Sequence, residues 1–134
     1  MSSYQIQIYS GNTTSGQLKM SDNGTTPVNR GDQVIWFING GNVRSFHIVG
    51  KSPGNIFTKT IPTNNTTTLS LDVSSTAPSG DWNYSIIWID NLLGGVHTFD
   101  PKIAVNPNFD FDALIWFIVT TIGSLLAVKF FRKR

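Results

Sequence analysis

The chain has no cysteine and no glutamate, so every acidic residue is aspartate. Without thiolates there can be no disulfide framework, thiolate zinc site, iron–sulfur cluster, cysteine nucleophile or thiolate-bound copper centre. The lack of cysteine also removes the usual clue to redox compartment. Charge is scarce, at 13% of residues, and its net value of +2 comes from the end of the chain. Up to residue 108, Lys19, Arg30, Arg44, Lys51, Lys59 and Lys102 cancel Asp22, Asp32, Asp72, Asp81, Asp90 and Asp100. That body has no cationic surplus for phosphate backbones, so no nucleic-acid partner is expected. There is no G-x-S-x-G nucleophile elbow, no Walker loop and no dinucleotide G-x-G-x-x-G. No pair of aspartates stands out as a glycosidase-type dyad. The chain is expected not to be an enzyme, with no catalytic residue and no cofactor.

The 134 residues suffice for one domain. The composition is rich in Ser, Thr, Asn and Gly, which favours strands and turns over helices. There is one long apolar run, Ala113 to Val128, extended by Phe130 and Phe131. As a helix through Phe131 it would be about 28 Å long, close to the thickness of a bilayer core. The expected organisation is a β-domain over 1–107, a short linker over 108–112, a transmembrane helix over 113–131 and a basic tail over 132–134. Asp110 and Asp112 precede the run, and Lys129, Arg132, Lys133 and Arg134 flank its other end. The positive-inside rule then places the C-terminus in the cytoplasm and the body outside. The start, MSSYQIQIYSG, has neither a basic nor an apolar leader region. Either a leader is cleaved or the protein is tail-anchored with its body in the cytoplasm, and the outside location is preferred. Its apolar part, Ala113 to Val128, contains no ionisable group, which suits an anchor or docking helix rather than a conductor. Gly123 and Ala127 would allow close helix approach, and Trp116 could sit at the outer interface.

The body alternates like half-buried strands at 4–9, 17–20, 33–39, 45–50, 56–60, 67–73, 82–90 and 96–105. Turn clusters such as GNTTSG, SDNGTT, NGGN, PTNN and LLGG separate these segments. Seven or eight short strands imply an all-β sandwich or barrel. Val28-Asn29-Arg30-Gly31-Asp32-Gln33-Val34-Ile35-Trp36 looks like a V-x-x-G-D-x-V-x-W segment, with His47 following in Phe46-His47-Ile48-Val49. Gly80-Asp81-Trp82-Asn83-Tyr84-Ser85-Ile86 and the run Asp100-Pro101-Lys102-Ile103-Ala104-Val105-Asn106-Pro107 complete an ordered set. Over about residues 4–107 this set resembles bacterial cupredoxin-like domains. The resemblance implies a Greek-key β-sandwich whose connection at residues 90–95 would carry copper ligands and form the end that docks redox partners.

The departures from that family govern the functional expectation. The position matching the thiolate ligand is Ile86, and the position matching the second histidine is Ile89; no methionine follows them in the body. A type 1 copper centre needs two imidazoles and a thiolate, so electron transfer is not carried over with the fold. His47 and His97 are the two metal candidates, with Asp90 or Asp100 as a carboxylate partner. The alternative is that both histidines only hydrogen-bond locally, and no metal is assigned. Asp90-Asn91-Leu92-Leu93-Gly94-Gly95 sets two leucines where a polar turn is usual. Leu92 and Leu93 either dock a partner or fold back to plug the space a metal would take.

The resulting expectation is a non-catalytic, membrane-anchored accessory subunit of a larger bacterial complex, respiratory or photosynthetic. Its partners would be other membrane subunits, met through the transmembrane helix and the Asn91–Gly95 loop, and the lipid bilayer. The location would be the inner membrane, single-pass, with the β-domain periplasmic. The alternatives are a cell-surface recognition or adhesion module and a degenerate copper-binding electron-transfer protein.

Overall fold

Alternation along the chain sets one apolar row per strand, and nine strands form where those rows can meet. In the computed structural model, which describes residues 2–107, these are β1 (Ser3–Gly11), β2 (Leu18–Met20), β3 (Thr25–Val28), β4 (Gln33–Ile38), β5 (Val43–Gly50), β6 (Thr68–Asp72), β7 (Gly80–Asp90), β8 (Val96–Phe99) and β9 (Lys102–Val105). There is no helix among the described residues, and none therefore long and apolar enough to cross a membrane. The expected linker, spanning helix and basic tail lie outside the described residues, and with them Trp116, Gly123, Ala127, Lys129, Arg132, Lys133 and Arg134.

Two sheets form the sandwich. One has the order β2-β1-β4-β6; the other has the order β3-β9-β7-β5, with β8 also paired to β7. The pairs β1·β4 and β3·β9 are parallel, and the other pairs are antiparallel. A tight turn launches β4, as the Gly-Asp step suggests. Gly31 has φ +84°, and Asp32 N–H donates to the Asn29 carbonyl at 3.1 Å. The buried Asp32 carboxylate also accepts the N–H groups of Ser2 and Asn29, at 2.9 and 2.8 Å. Three donors are thereby satisfied where the first strand meets the fourth.

β7 is the longest strand and pairs with β5, β8 and β9. Its inward row is Trp82, Tyr84, Ile86, Trp88 and Asp90, all buried. Trp36 of β4 meets Tyr84 edge-on at 5.9 Å, and Tyr84 stacks on Trp82 at 5.3 Å. Phe57 closes the cluster edge-on against both tryptophans, 6.0 Å from Trp36 and 5.2 Å from Trp82. Each such ring contributes about 1.5–3 kcal/mol by leaving water, provided its polar atom keeps a partner. The Trp36 indole N–H donates to the Tyr84 hydroxyl at 3.1 Å, and that of Trp88 donates to the Gly16 carbonyl at 2.9 Å. Burial raises the Tyr84 pKa well above its ordinary value, against a smaller opposing effect of the Trp36 bond.

Nine strands form against the seven or eight expected, because two local features each add a strand and a third removes one. The segment 96–105 splits at Asp100-Pro101, because a proline has no N–H to continue a ladder. β3, hidden in a turn-like Thr-Thr-Pro-Val stretch, forms as an edge strand, where Pro27 is tolerated. The expected strand at 56–60 does not form and keeps a single bridge, Phe57 to Val73. There Asn55 takes over, accepting the Phe57 N–H at 2.9 Å and donating to the Lys59 carbonyl at 2.8 Å.

Replacing Tyr84 by Phe strands the buried Trp36 N–H without an acceptor. We expect Tyr84→Phe to lose about 1–3 kcal/mol of unfolding free energy in urea titration, with far-UV circular dichroism unchanged.

Candidate functional site

The inward row of β7 ends on a carboxylate. Asp90 is 3% exposed, so its charge needs donors. The following loop supplies them. Asp90 Oδ1 accepts the N–H groups of Leu92, Leu93 and Gly94 at 3.1, 2.7 and 3.2 Å. Oδ2 accepts the Gly95 N–H at 3.1 Å and faces His97 Nε2 at 2.8 Å. An ionised carboxylate only accepts, so Nε2 carries the hydrogen. The His97 ring lies 4.3 Å from the Trp88 ring. The His97 bond, then the Leu93, Leu92 and Gly94 bonds, hold Asp90 far below the usual carboxylate range, at about 2, with burial opposing them.

This cage sets the conformation of the loop that carries the leucines. Gly94 has φ +71°, a conformation that suits glycine. A Cβ on Gly95 would come within 2.9 Å of the Asp90 carboxylate, so close approach also calls for glycine there. Leu92 is 76% exposed, Leu93 94% and Val96 67%. The leucines therefore do not fold back into the sandwich, and the plug expectation is overturned. With the N–H groups of Leu92, Leu93, Gly94 and Gly95 turned inward to Asp90, the leucine side chains are left on the outside. Asparagines tie this loop to its neighbours. Asn42 Oδ1 accepts the Gly11 N–H at 2.8 Å, its Nδ2 donates to the Gly11 carbonyl at 2.9 Å, and Asn91 N–H donates to the Asn42 carbonyl at 2.9 Å.

The positions matched to copper ligands do not converge. Ile86 lies in the core opposite Ile48, while His47 pairs with Ile87, one residue along. Successive residues of a strand point to opposite faces, so His47 and Ile86 are on opposite sides of one sheet. Ile89 shares the outer face, partly buried between Ser45 and Val96. His47 Nδ1 bonds Asn65 Oδ1 at 2.7 Å. His97 pairs with Trp88 on the inward row, so the two imidazoles do not share a face either. Asp100 meets neither histidine. The Ser85 hydroxyl, then Lys51, hold its pKa down against burial. Among the described residues no group of three or more His, Cys, Asp or Glu is placed to hold a metal ion. An open groove of about 540 Å³ between Gly11, Leu18, Met20 and Phe99 carries Lys19 as its one ionisable group.

By sequence alone Asp90 stands only as a candidate carboxylate partner for a metal. The signal for its larger role was the alternation Trp82, Tyr84, Ile86, Trp88, which places residue 90 on the buried face.

Two expectations follow. Because the Asp90 pKa falls from 3.8 to about 2 on folding, its stabilisation is complete above about pH 4 and lost as pH falls through about 2. Asp90→Asn should therefore have a lower urea midpoint than the parent at pH 7 and pH 5, and the two should converge near pH 2. Asp100 is common to both proteins and cancels. Separately, Ile86→Cys with Cu(II) should give no thiolate-to-copper charge-transfer absorption, since His47 faces away from residue 86.

No protein-family model matches the sequence, and no curated protein matches it. Solved structures give distant likenesses. A reduced amicyanin variant is 12% identical with a TM-score of 0.43, the match covering 78% of this chain and 82% of that one. A pseudoazurin from Sinorhizobium is 16% identical with a TM-score of 0.43, covering 84% of this chain and 80% of that one. Likeness at this level names neither a family nor an activity for the chain. Its own strand order and register establish an all-β, two-sheet sandwich.

Proposed function

We propose that the protein is a non-catalytic, membrane-anchored accessory subunit of a larger bacterial membrane complex, respiratory or photosynthetic. Its cupredoxin-like sandwich would lie on the periplasmic face of the inner membrane, and its apolar segment 113–131 would cross the bilayer. The observation that carries this reading is the loop Asn91–Gly95, with two leucines held outward by a buried carboxylate. Large exposed apolar side chains on an ordered loop favour burial against another protein. The Asp90 cage orders the loop before any partner arrives, so docking costs little further backbone entropy. The anchor raises the effective concentration of the body at its partner, so a small contact suffices. A metal-free role accords with ligand-equivalent positions that face opposite sides of a sheet. The degenerate copper-protein reading has no such support. A cell-surface recognition module would use the same tip and differs in what it is bound to.

Mild-detergent solubilisation of native membranes separates the two. The accessory reading expects co-purification in fixed stoichiometry with a multisubunit complex, and recovery as a lone monomer would refute it. Leu92→Ser with Leu93→Ser should change unfolding free energy by less than about 0.5 kcal/mol, as surface substitutions do. The same double variant should lower the yield of assembled complex on native gels.

A further inference from the structure

The apolar tip and the exit of the chain lie at opposite poles of the sandwich. β7 runs from Gly80 to Asp90, and Val105, the last residue of β9, pairs with Gly80. Asn106 N–H then donates to the Val28 carbonyl at 2.8 Å, and Arg30 Nε to the Ala77 carbonyl at 2.6 Å. The chain therefore leaves the body among the loops around Arg30 and Ala77. Asp90 and the leucines are ten residues along β7 from that point, or about 30 Å at 3.3 Å per residue. From Pro107 to Ala113 the chain spans at most about 21 Å.

The tip pole also has a distinct charge. It is built from residues 11–17, 39–42 and 90–96, in which Asp90 is the one acidic residue, and its carboxylate is committed to the cage. Arg44 is exposed, with its guanidinium beside Gly94, and Lys19 is exposed on the strand opposite Ser10. Neither forms an ion pair among the described residues. Three outward apolar side chains with flanking cations complement an apolar pocket rimmed by carboxylates. An anionic bilayer would have the same chemistry. The body as a whole is neutral, however, so its net charge does not draw it down flat onto such a surface.

We infer that the protein is a two-ended tether: residues 113–131 hold one pole at the membrane, and Leu92, Leu93 and Val96, with Arg44 beside them, dock an acid-rimmed apolar pocket on an extramembrane protein about 30 Å farther out. This rests on the anchored-subunit reading and corrects one part of it. The loop and the anchor engage different partners, or different layers of one complex, rather than the same membrane-embedded surface.

The absence of cysteine makes single-site labelling direct. Full-length protein carrying Leu93→Cys, Pro107→Cys or Trp116→Cys is nitroxide-labelled and reconstituted in vesicles of phosphatidylcholine and phosphatidylglycerol. The label at 116 should be relaxed by oxygen, that at 107 should report the bilayer surface, and that at 93 should be relaxed by an aqueous nickel chelate alone. Lipid contact at 93 with 116 in the bilayer overturns the tether and leaves the anchor standing. Aqueous exposure at 116 overturns the anchor reading, and the tether with it. In native membranes, Arg44→Glu should lower the co-purified partner subunits per mole of this chain at least tenfold, and Arg44→Lys should largely retain them. Equal retention by Arg44→Glu overturns the acid-rimmed partner.

Discussion

A carboxylate buried at the end of the central strand is the constraint on which the Asn91–Gly95 loop depends. Asp90 cannot remain ionised and dry without donors, and five are gathered around it from the four residues that follow Asn91 and from His97. The loop closes because the charge must be satisfied. The leucines face water because the backbone between them is turned toward the charge. A segment rich in glycine would otherwise lose much conformational entropy on ordering. Here that loss is met during folding, and the ordered tip is part of the native state.

The same strand separates the positions that the sequence resemblance matches to copper ligands. β7 continues through Ile86 to Asp90 as a ladder between β5 and β8. Ile86 fills the core beside Trp88, and His47 faces outward to Asn65. The sandwich holds together through packing of Trp36, Phe57, Trp82 and Tyr84, with each buried indole N–H satisfied. No buried side-chain polar atom among the described residues lacks a partner.

Poles matter more than faces in this sandwich. Asparagine side chains and main-chain bonds join residues 11, 41, 42 and 91 at one end. Arg30, Asp32 and Asn106 knit the other end, where the chain departs. The two-ended tether proposed above would use both of these hydrogen-bonded ends. Side-by-side contact along a sheet face would not use either end.

Much of the body was legible in its residues. Alternation located β1, β4, β6 and β7, because burying one face of a strand imposes period two on the sequence. Elements decided by single side chains were less legible: Asn55 displaced a strand, Pro101 divided one, and the short β3 exists only because β9 lies beside it. The candidate site divides in the same way. Local sequence determined that two leucines follow Asp90 in a glycine-rich turn. Only the tertiary structure decided that Asp90 is buried and caged, that the leucines are outside, that His47 and Ile86 lie on opposite faces, and that the tip stands at the far pole from Asn106. Those outcomes depend on which strands pair and in which register, and register is a property of partners distant in the chain.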